Sequence, residues 1–153
     1  MNEPNLVEEF LFYSDSISDV GISVPQDEFQ HITRTLRLKP GVRLQFTDGK
    51  GNKAYATIEN IQKNKIDFND IELNTASKKD YTLHVAISPT KNINRFEWFI
   101  EKAVEMGVNE ITPIITKHSE RRHIKLERIH KIAISAMKQS KRYWMPKIND
   151  LTK

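Results

Sequence analysis

The 153-residue chain contains no cysteine. That excludes a disulfide-stapled scaffold and a thiolate metal centre, and it fits a reducing cytosol. Glycine is scarce as well, with five residues in all. There is no G-x-G-x-x-G, no G-x-x-x-x-G-K and no G-x-S-x-G, so a phosphate-cradling loop and a nucleophile elbow are both excluded. Apolar runs are a few residues long, far short of the roughly 20 that a membrane span needs. The opening MNEPNLVEEF has no basic n-region and no apolar h-region, so no secretory signal is expected. A soluble, cytoplasmic protein without membrane contact is the expectation. Hydrophobic residues make up 38% and charged residues 29%, apolar-poor for a globular domain but not disordered.

Acidic residues are scarce in one region. Residues 1–75 hold 8 Lys and Arg against 12 Asp and Glu, and residues 76–153 hold 16 against 8. Within 117–147 the ratio is 10 to 2. The asymmetry predicts two units with different jobs, the second facing a polyanion; a solvated basic helix face is the other reading the composition allows. His118, His123 and His130 share this tract, but no Cys or acid completes a ligand set, so no metal site is expected. Ser119 has a histidine nearby and no oriented triad, which argues against an independent hydrolase.

The pattern of residues 1–75 predicts a small, mostly β domain. Glu9 to Tyr13, Val42 to Phe46, Ala54 to Ile61 and Ile66 to Leu73 read as strands, and Thr47 to Gly51 as a turn. Pro25 to Leu38 reads as a helix with Phe29, Ile32 and Leu36 on one face, ended by Pro40-Gly41. Short strands, tight turns and one helix imply a closed or half-closed barrel. Residues 76–153 change rhythm. Tyr81 to Ile87 and Glu110 to Ile115 read as strands, and Asn92 to Met106 and Ile124 to Lys141 as amphipathic helices. Pro146 to Asp150 reads as the entry to a third strand. Strand, helix, strand, helix begins a parallel α/β sheet. Glu97, Glu101 and Glu105 are expected on the outer face of the first of these helices, and Arg128, Lys131, Lys138, Lys141 and Arg142 on that of the second. A parallel sheet this small leaves apolar helix faces and sheet edges uncovered, so the expectation is a fragment or a fold completed by another chain.

Two groupings carry a chemical meaning. His31, Arg34 and Arg37 fall at spacings of three on the expected helix. They form either a phosphate-contacting edge or surface charges paired with Asp27 and Glu28. The tract from Lys117 to Lys147 ends in Tyr143 and Trp144. These rings either stack on bases or cover the apolar edge of the last helix.

In order along the chain, these segments resemble one family. His31-Ile32-Thr33-Arg34-Thr35-Leu36-Arg37 with Pro40-Gly41 and Asp48-Gly49 resembles the opening "H-x-x-x-x-L-R…G…D-G" of the small-subunit ribosomal RNA methyltransferases that make N3-methyluridine (the RsmE family). Phe96 to Val108 is similar to that family's "E-x-x-x-x-K-x-x-E-L-G-V" helix. Ser119-Glu120-Arg121, and Ala136 to Arg142 followed by Pro146, resemble its "S-E-R" and "A-x-E-Q-x-x-R…P" segments.

The resemblance implies an α+β protein: an N-terminal PUA-like β-barrel over residues 1–75, then the first half of an α/β SPOUT trefoil-knot domain over 76–153. It implies S-adenosyl-L-methionine as cofactor, a uridine N3 of 16S rRNA in the small ribosomal subunit as acceptor, and a homodimer. His31, Arg34, Arg37, Arg121, Gln139 and Arg142 would contact RNA or the domain junction, with Gln139 orienting a substrate group. Glu97, Lys102 and Glu105 match motif positions too and would form a structural ion-pair set or junction. Lys138 stands where many relatives carry an acid, and Glu8 and Glu9 where a basic residue often precedes the aromatic pair. The knot and the catalytic residues would lie beyond Lys153, so these 153 residues alone are expected neither to bind the cofactor nor to catalyse. A stand-alone RNA-binding module and a scaffold completed by a partner chain are the alternatives from other functional classes.

Overall fold

A computed structural model describes residues 5–153, with side chains from Phe10 onward. The chain divides into a first unit ending at Ser77 and a second spanning Lys78–Lys153.

The first unit is built on a four-stranded sheet. Its strands are β1 (Asn5–Tyr13), β4 (Val42–Thr47), β5 (Asn52–Ile61) and β6 (Ile66–Thr75), in the order β1-β4-β5-β6. β1 runs parallel to β4, and the remaining pairs are antiparallel. A parallel pair cannot be joined by a tight turn. The connection instead carries the hairpin β2 (Ser16–Ser18) and β3 (Gly21–Ser23) and a short helix, α1 (Gln26–Gln30). β3 packs on β6, which half-closes the sheet.

Alternation decides which face is buried. Leu44 and Phe46 of β4 and Ala54, Ala56 and Ile58 of β5 all point inward. Large residues sit opposite small ones, Phe46 across from Ala54 and Leu44 across from Ala56, which suits close packing of the layer. The Phe46 ring meets Phe12 at 5.8 Å and Phe68 at 5.1 Å between centroids. Residues such as these contribute about 1.5–3 kcal/mol each when fully buried. The turn after β4 is fixed as its composition implies: the Asp48 carboxylate accepts hydrogen bonds from the Lys50 amide at 2.8 Å and the Asn52 side-chain amide at 2.6 Å.

The helix expected over Pro25 to Leu38 is shorter and of two kinds. α1 ends at Gln30 and continues as a π-helical turn over His31–Thr35, closed by the Leu36 amide donating to the His31 carbonyl at 2.9 Å. Arg37 then takes a left-handed φ of 53°. The chain therefore leaves the helix at Arg37, before Pro40-Gly41 is reached, and Arg37 does not continue a helical side begun by His31 and Arg34. A period of three or four cannot reveal a π turn, because widening the turn shifts every later side chain.

The second unit contains β7 (His84–Ile87), α2 (Ile93–Met106), β8 (Glu110–Pro113), α3 (Leu126–Gln139) and β9 (Lys147–Ile148). All three strands are parallel, in the order β7-β8-β9. Each helix is the crossover between successive strands, and the two helices pack on each other. Asn92 caps α2 by accepting from the Asn94 amide at 3.0 Å. Gly107, at φ 84°, ends it: its amide donates to Val104 and that of Val108 to Ala103, both at 3.0 Å. α3 ends through the same pair of bonds around Lys141, at φ 49°, without a glycine.

Tyr81, Thr82 and Leu83 lie outside the strand expected at Tyr81 to Ile87, and the strands are not buried on both faces. Val85, Ile87, Ile111 and Pro113 line the less exposed face, while His84, Ala86, Glu110 and Thr112 alternate onto the other. The uncovered surface of the sheet is thus polar. On α2 the exposed apolar residues are Trp98 and Met106, at 62% and 74%. Among the described residues, no helix is long and apolar enough to cross a membrane.

Candidate nucleic-acid interface

In the first unit, the His31 ring is held rather than free. It lies 5.8 Å from the Phe12 centroid and 6.1 Å from that of Phe10, and its Nδ1 is 3.8 Å from the buried Glu28 carboxylate. Glu28 also accepts from the Tyr13 amide at 3.3 Å. His31 is therefore a fixed, partly buried member of the domain wall. Arg34 and Arg37 are exposed and have no ion-pair partner among the described residues. Pairing of these arginines with Asp27 or Glu28 is absent from the described contacts. Arg34 thus sits within the π turn and Arg37 just past its end, both with exposed side chains.

In the second unit, several arginines are engaged. Arg121 donates from Nε to the Thr90 carbonyl at 3.0 Å and from Nη2 to the Lys91 carbonyl at 2.6 Å. Arg142 is half-buried rather than outward. Its Nε donates to the Glu105 carbonyl at 2.6 Å, and its guanidinium lies over Gly107, where a Cβ would come within 2.6 Å of it. Gln139 is exposed in the last turn of α3.

The set formed by Glu97, Lys102 and Glu105 divides in two. Lys102 donates to Glu101 at 2.8 Å and to Glu105 at 3.0 Å. These contacts, that to Glu101 foremost, raise the ammonium pKa above the ordinary lysine value. Glu97 does not face outward. Its side chain is only 12% exposed and is clasped by Arg128 of α3, whose Nη2 donates to it at 2.7 Å. That clasp holds the Glu97 carboxyl below the ordinary glutamate range. Periodicity misses this because it locates the apolar stripe, not which flanking position meets a neighbouring helix.

The rings at the end of the basic tract are half-buried. Lys78 Nζ lies 5.4 Å from the Trp144 ring centroid, and the indole Nε1 is buried with no acceptor among the described residues. No cluster of His, Asp and Glu suited to a metal ion occurs among the described residues.

Two features escape sequence reasoning. On the polar face of the sheet, Asn149 donates to Glu110 and is 2.7 Å from both Glu110 and Thr112, and His84 is 2.7 Å from Thr112. Glu110 is held below the ordinary range, first by Asn149 and then by Lys147. The other is a stitched pair of loops at the carboxyl ends of β7 and β8. The Ser119 hydroxyl is 2.7 Å from that of Ser88 and accepts from the Thr116 amide at 2.7 Å, and Arg121 grips the carbonyls just before α2. Beside these loops, between the N-terminal ends of α2 and α3, lies a cavity of about 340 Å³. Its walls include Ile93, Ile124 and Ile129, and its polar lining includes Arg121, Lys125 and Arg128.

Residues 77–153 match a family model described as an RNA methyltransferase domain, and residues 24–71 match one described as an RNA methyltransferase PUA domain. The chain is 31% identical over 129 residues to the ribosomal RNA small subunit methyltransferase E of Rickettsia conorii, covering 82% of this chain and 51% of that protein. It thus spans about half the length of the curated relatives it matches. The crystal structure of a probable rRNA-methyltransferase from Porphyromonas gingivalis superposes with a TM-score of 0.83 at 41% identity, over 94% of this chain and 60% of that one. A ribosomal RNA small subunit methyltransferase E from Neisseria gonorrhoeae, solved bound to S-adenosyl methionine, superposes at 0.79 with 26% identity, over 94% and 62%.

Proposed function

The chain belongs to the ribosomal RNA small subunit methyltransferase E family, as a PUA-like unit followed by part of a SPOUT methyltransferase domain, and we propose that the whole protein methylates N3 of a uridine in 16S rRNA. In this proposal the first unit holds RNA and the second begins the catalytic domain. One observation carries it: both family domains match in order on one chain whose second unit is a parallel α/β sheet. Work in the cytoplasm and homodimer formation by the whole protein belong to the same proposal.

Arg34 and Arg37 are offered as phosphate contacts, since each is exposed and unneutralised among the described residues. His31 fixes the turn that presents them. Arg121 and Arg142 act on loop and helix ends, and Gln139 is left exposed for a polar contact.

S-adenosylmethionine supplies an electrophilic methyl group when bound. The residues described do not fit it. The cavity at the helix ends is lined by Arg121, Lys125 and Arg128 against one carboxylate, Glu97, already clasped by Arg128, so its net positive lining opposes a cofactor whose own net charge is positive. We therefore propose that the cofactor pocket belongs to the portion of the relatives that this chain does not span.

The test is complementation. The whole protein is expressed in a bacterium deprived of its own enzyme, and digested small-subunit rRNA is analysed by mass spectrometry. Restoration of one N3-methyluridine is expected. Unmodified rRNA in the presence of folded protein would overturn the proposal.

A further inference from the structure

We propose that the cavity between α2 and α3 receives one phosphate-bearing nucleotide of single-stranded RNA while the rest of the strand runs along α3. This rests on the reading that the chain handles RNA.

The position comes first. The cavity lies at the carboxyl ends of parallel strands, the side on which open α/β sheets take their ligands. Its volume of about 340 Å³ is within the range of small-ligand pockets.

The chemistry is that of a nucleotide. Lys125, Arg121 and Arg128 line the cavity with His123, and the carboxylate lining it, Glu97, is already clasped by Arg128. Lys125, the residue that precedes the first turn of α3, has no ion-pair partner among the described residues. Cationic side chains therefore converge where the α3 dipole is positive, favouring a phosphate. Ile93, Ile124 and Ile129 offer an apolar wall for the face of a base.

The wall is also preorganised. Arg121 is fixed by the Thr90 and Lys91 carbonyls, and Ser119 ties its loop to Ser88. An anion arriving there would spend little free energy on ordering side chains.

A second groove argues for a polymer over a free ligand. It shares Lys125 and Arg128 with the cavity and continues along α3 past Ser135 and past Lys131, which pairs with the exposed Glu127 at 3.6 Å, so three cations there meet one carboxylate. Arg128 and Lys131 are spaced by three on α3 and so share one side of it, with Lys125 at its N-cap.

The experiment uses this chain, a fluorescent ten-nucleotide oligouridylate, and inorganic phosphate as a control. Lys125→Ala should weaken RNA binding about fivefold at 100 mM salt, the value for one lost single-strand phosphate contact, with the salt slope flatter by about 0.7. In amide NMR spectra the oligonucleotide should shift Leu126, Glu127 and Ile129 of the unmodified chain, and the thermal melt of Lys125→Ala should match it. Arg34→Ala is the reference for the other unit. RNA binding that responds to Arg34→Ala but not to Lys125→Ala, with those amides unmoved, would overturn the cavity proposal and leave the family reading intact. Phosphate that saturates the same amides and is not displaced by RNA would overturn it in favour of a free-anion site. Absence of any RNA binding would overturn the cavity proposal and the reading that this chain handles RNA, while its family membership, which rests on the domain matches, would stand.

Discussion

Replacing Arg37 with glycine separates what this side chain does for RNA from what its backbone demands. Arg37 sits at φ 53° with an exposed side chain. A residue bearing a Cβ is disfavoured there by roughly 1–2 kcal/mol. Glycine removes that strain but adds about 0.5–1 kcal/mol of unfolded-chain entropy. The net expectation for Arg37→Gly is a gain of about 0.5 kcal/mol. For a unit of this size, about 4–8 °C per kcal/mol, that is a melting temperature higher by about 2–4 °C. RNA affinity should move the other way, falling about fivefold at 100 mM salt with a slope flatter by about 0.7 if one phosphate contact is lost. Arg37→Ala keeps the strained backbone and should weaken RNA binding equally without stabilising. Calorimetry gives the first quantity and fluorescence anisotropy the second. A destabilised Arg37→Gly, or unchanged RNA affinity in both variants, would refute the reasoning.

Other expectations concern the second unit. Gly107→Ala should destabilise by about 2–3 kcal/mol in urea unfolding, from a left-handed φ of 84° and a Cβ 2.6 Å from the Arg142 guanidinium, whose hydrogen bond to Glu105 is worth about 1 kcal/mol. Glu97 predicts a pH dependence: its carboxyl is held below the ordinary value of 4.5 by Arg128, so the stabilisation is full above that value and is lost as pH falls through the lower folded one. Arg128→Ala should flatten that acid limb, as read by thermal melts between pH 6 and pH 2. In the first unit, Phe46→Ala should cost about 3–5 kcal/mol, measured by urea unfolding, because its fully buried ring contacts two other phenylalanines.

Much of the architecture was legible in the sequence. Alternation in Val42 to Phe46 and Ala54 to Ile61 located central strands, Asp48-Gly49 located their turn, and Asn92 and Gly107 bracket α2. These are local signals, in which each residue's own conformational preference agrees with the fold. The π turn at His31–Thr35 was not legible, because apolar spacing marks the buried face, Ile32 included, but not the widening of the turn. Nor was the partner of Glu97, which lies 31 residues away in Arg128. The basic tract was visible as composition, but which cations are already engaged depends on carbonyls and carboxylates brought in by the crossovers. Arg121 and Arg142 prove to be held by backbone carbonyls, whereas Arg34 and Arg37 stand exposed.

RNA handling is tested most directly by anisotropy of a labelled fragment of small-subunit rRNA with this chain between 50 and 200 mM salt. With Arg34, Arg37 and Lys125 each on a phosphate, log affinity should fall against log salt with a slope of about −2 or steeper. A flat salt response, or no binding at 50 mM, would contradict it.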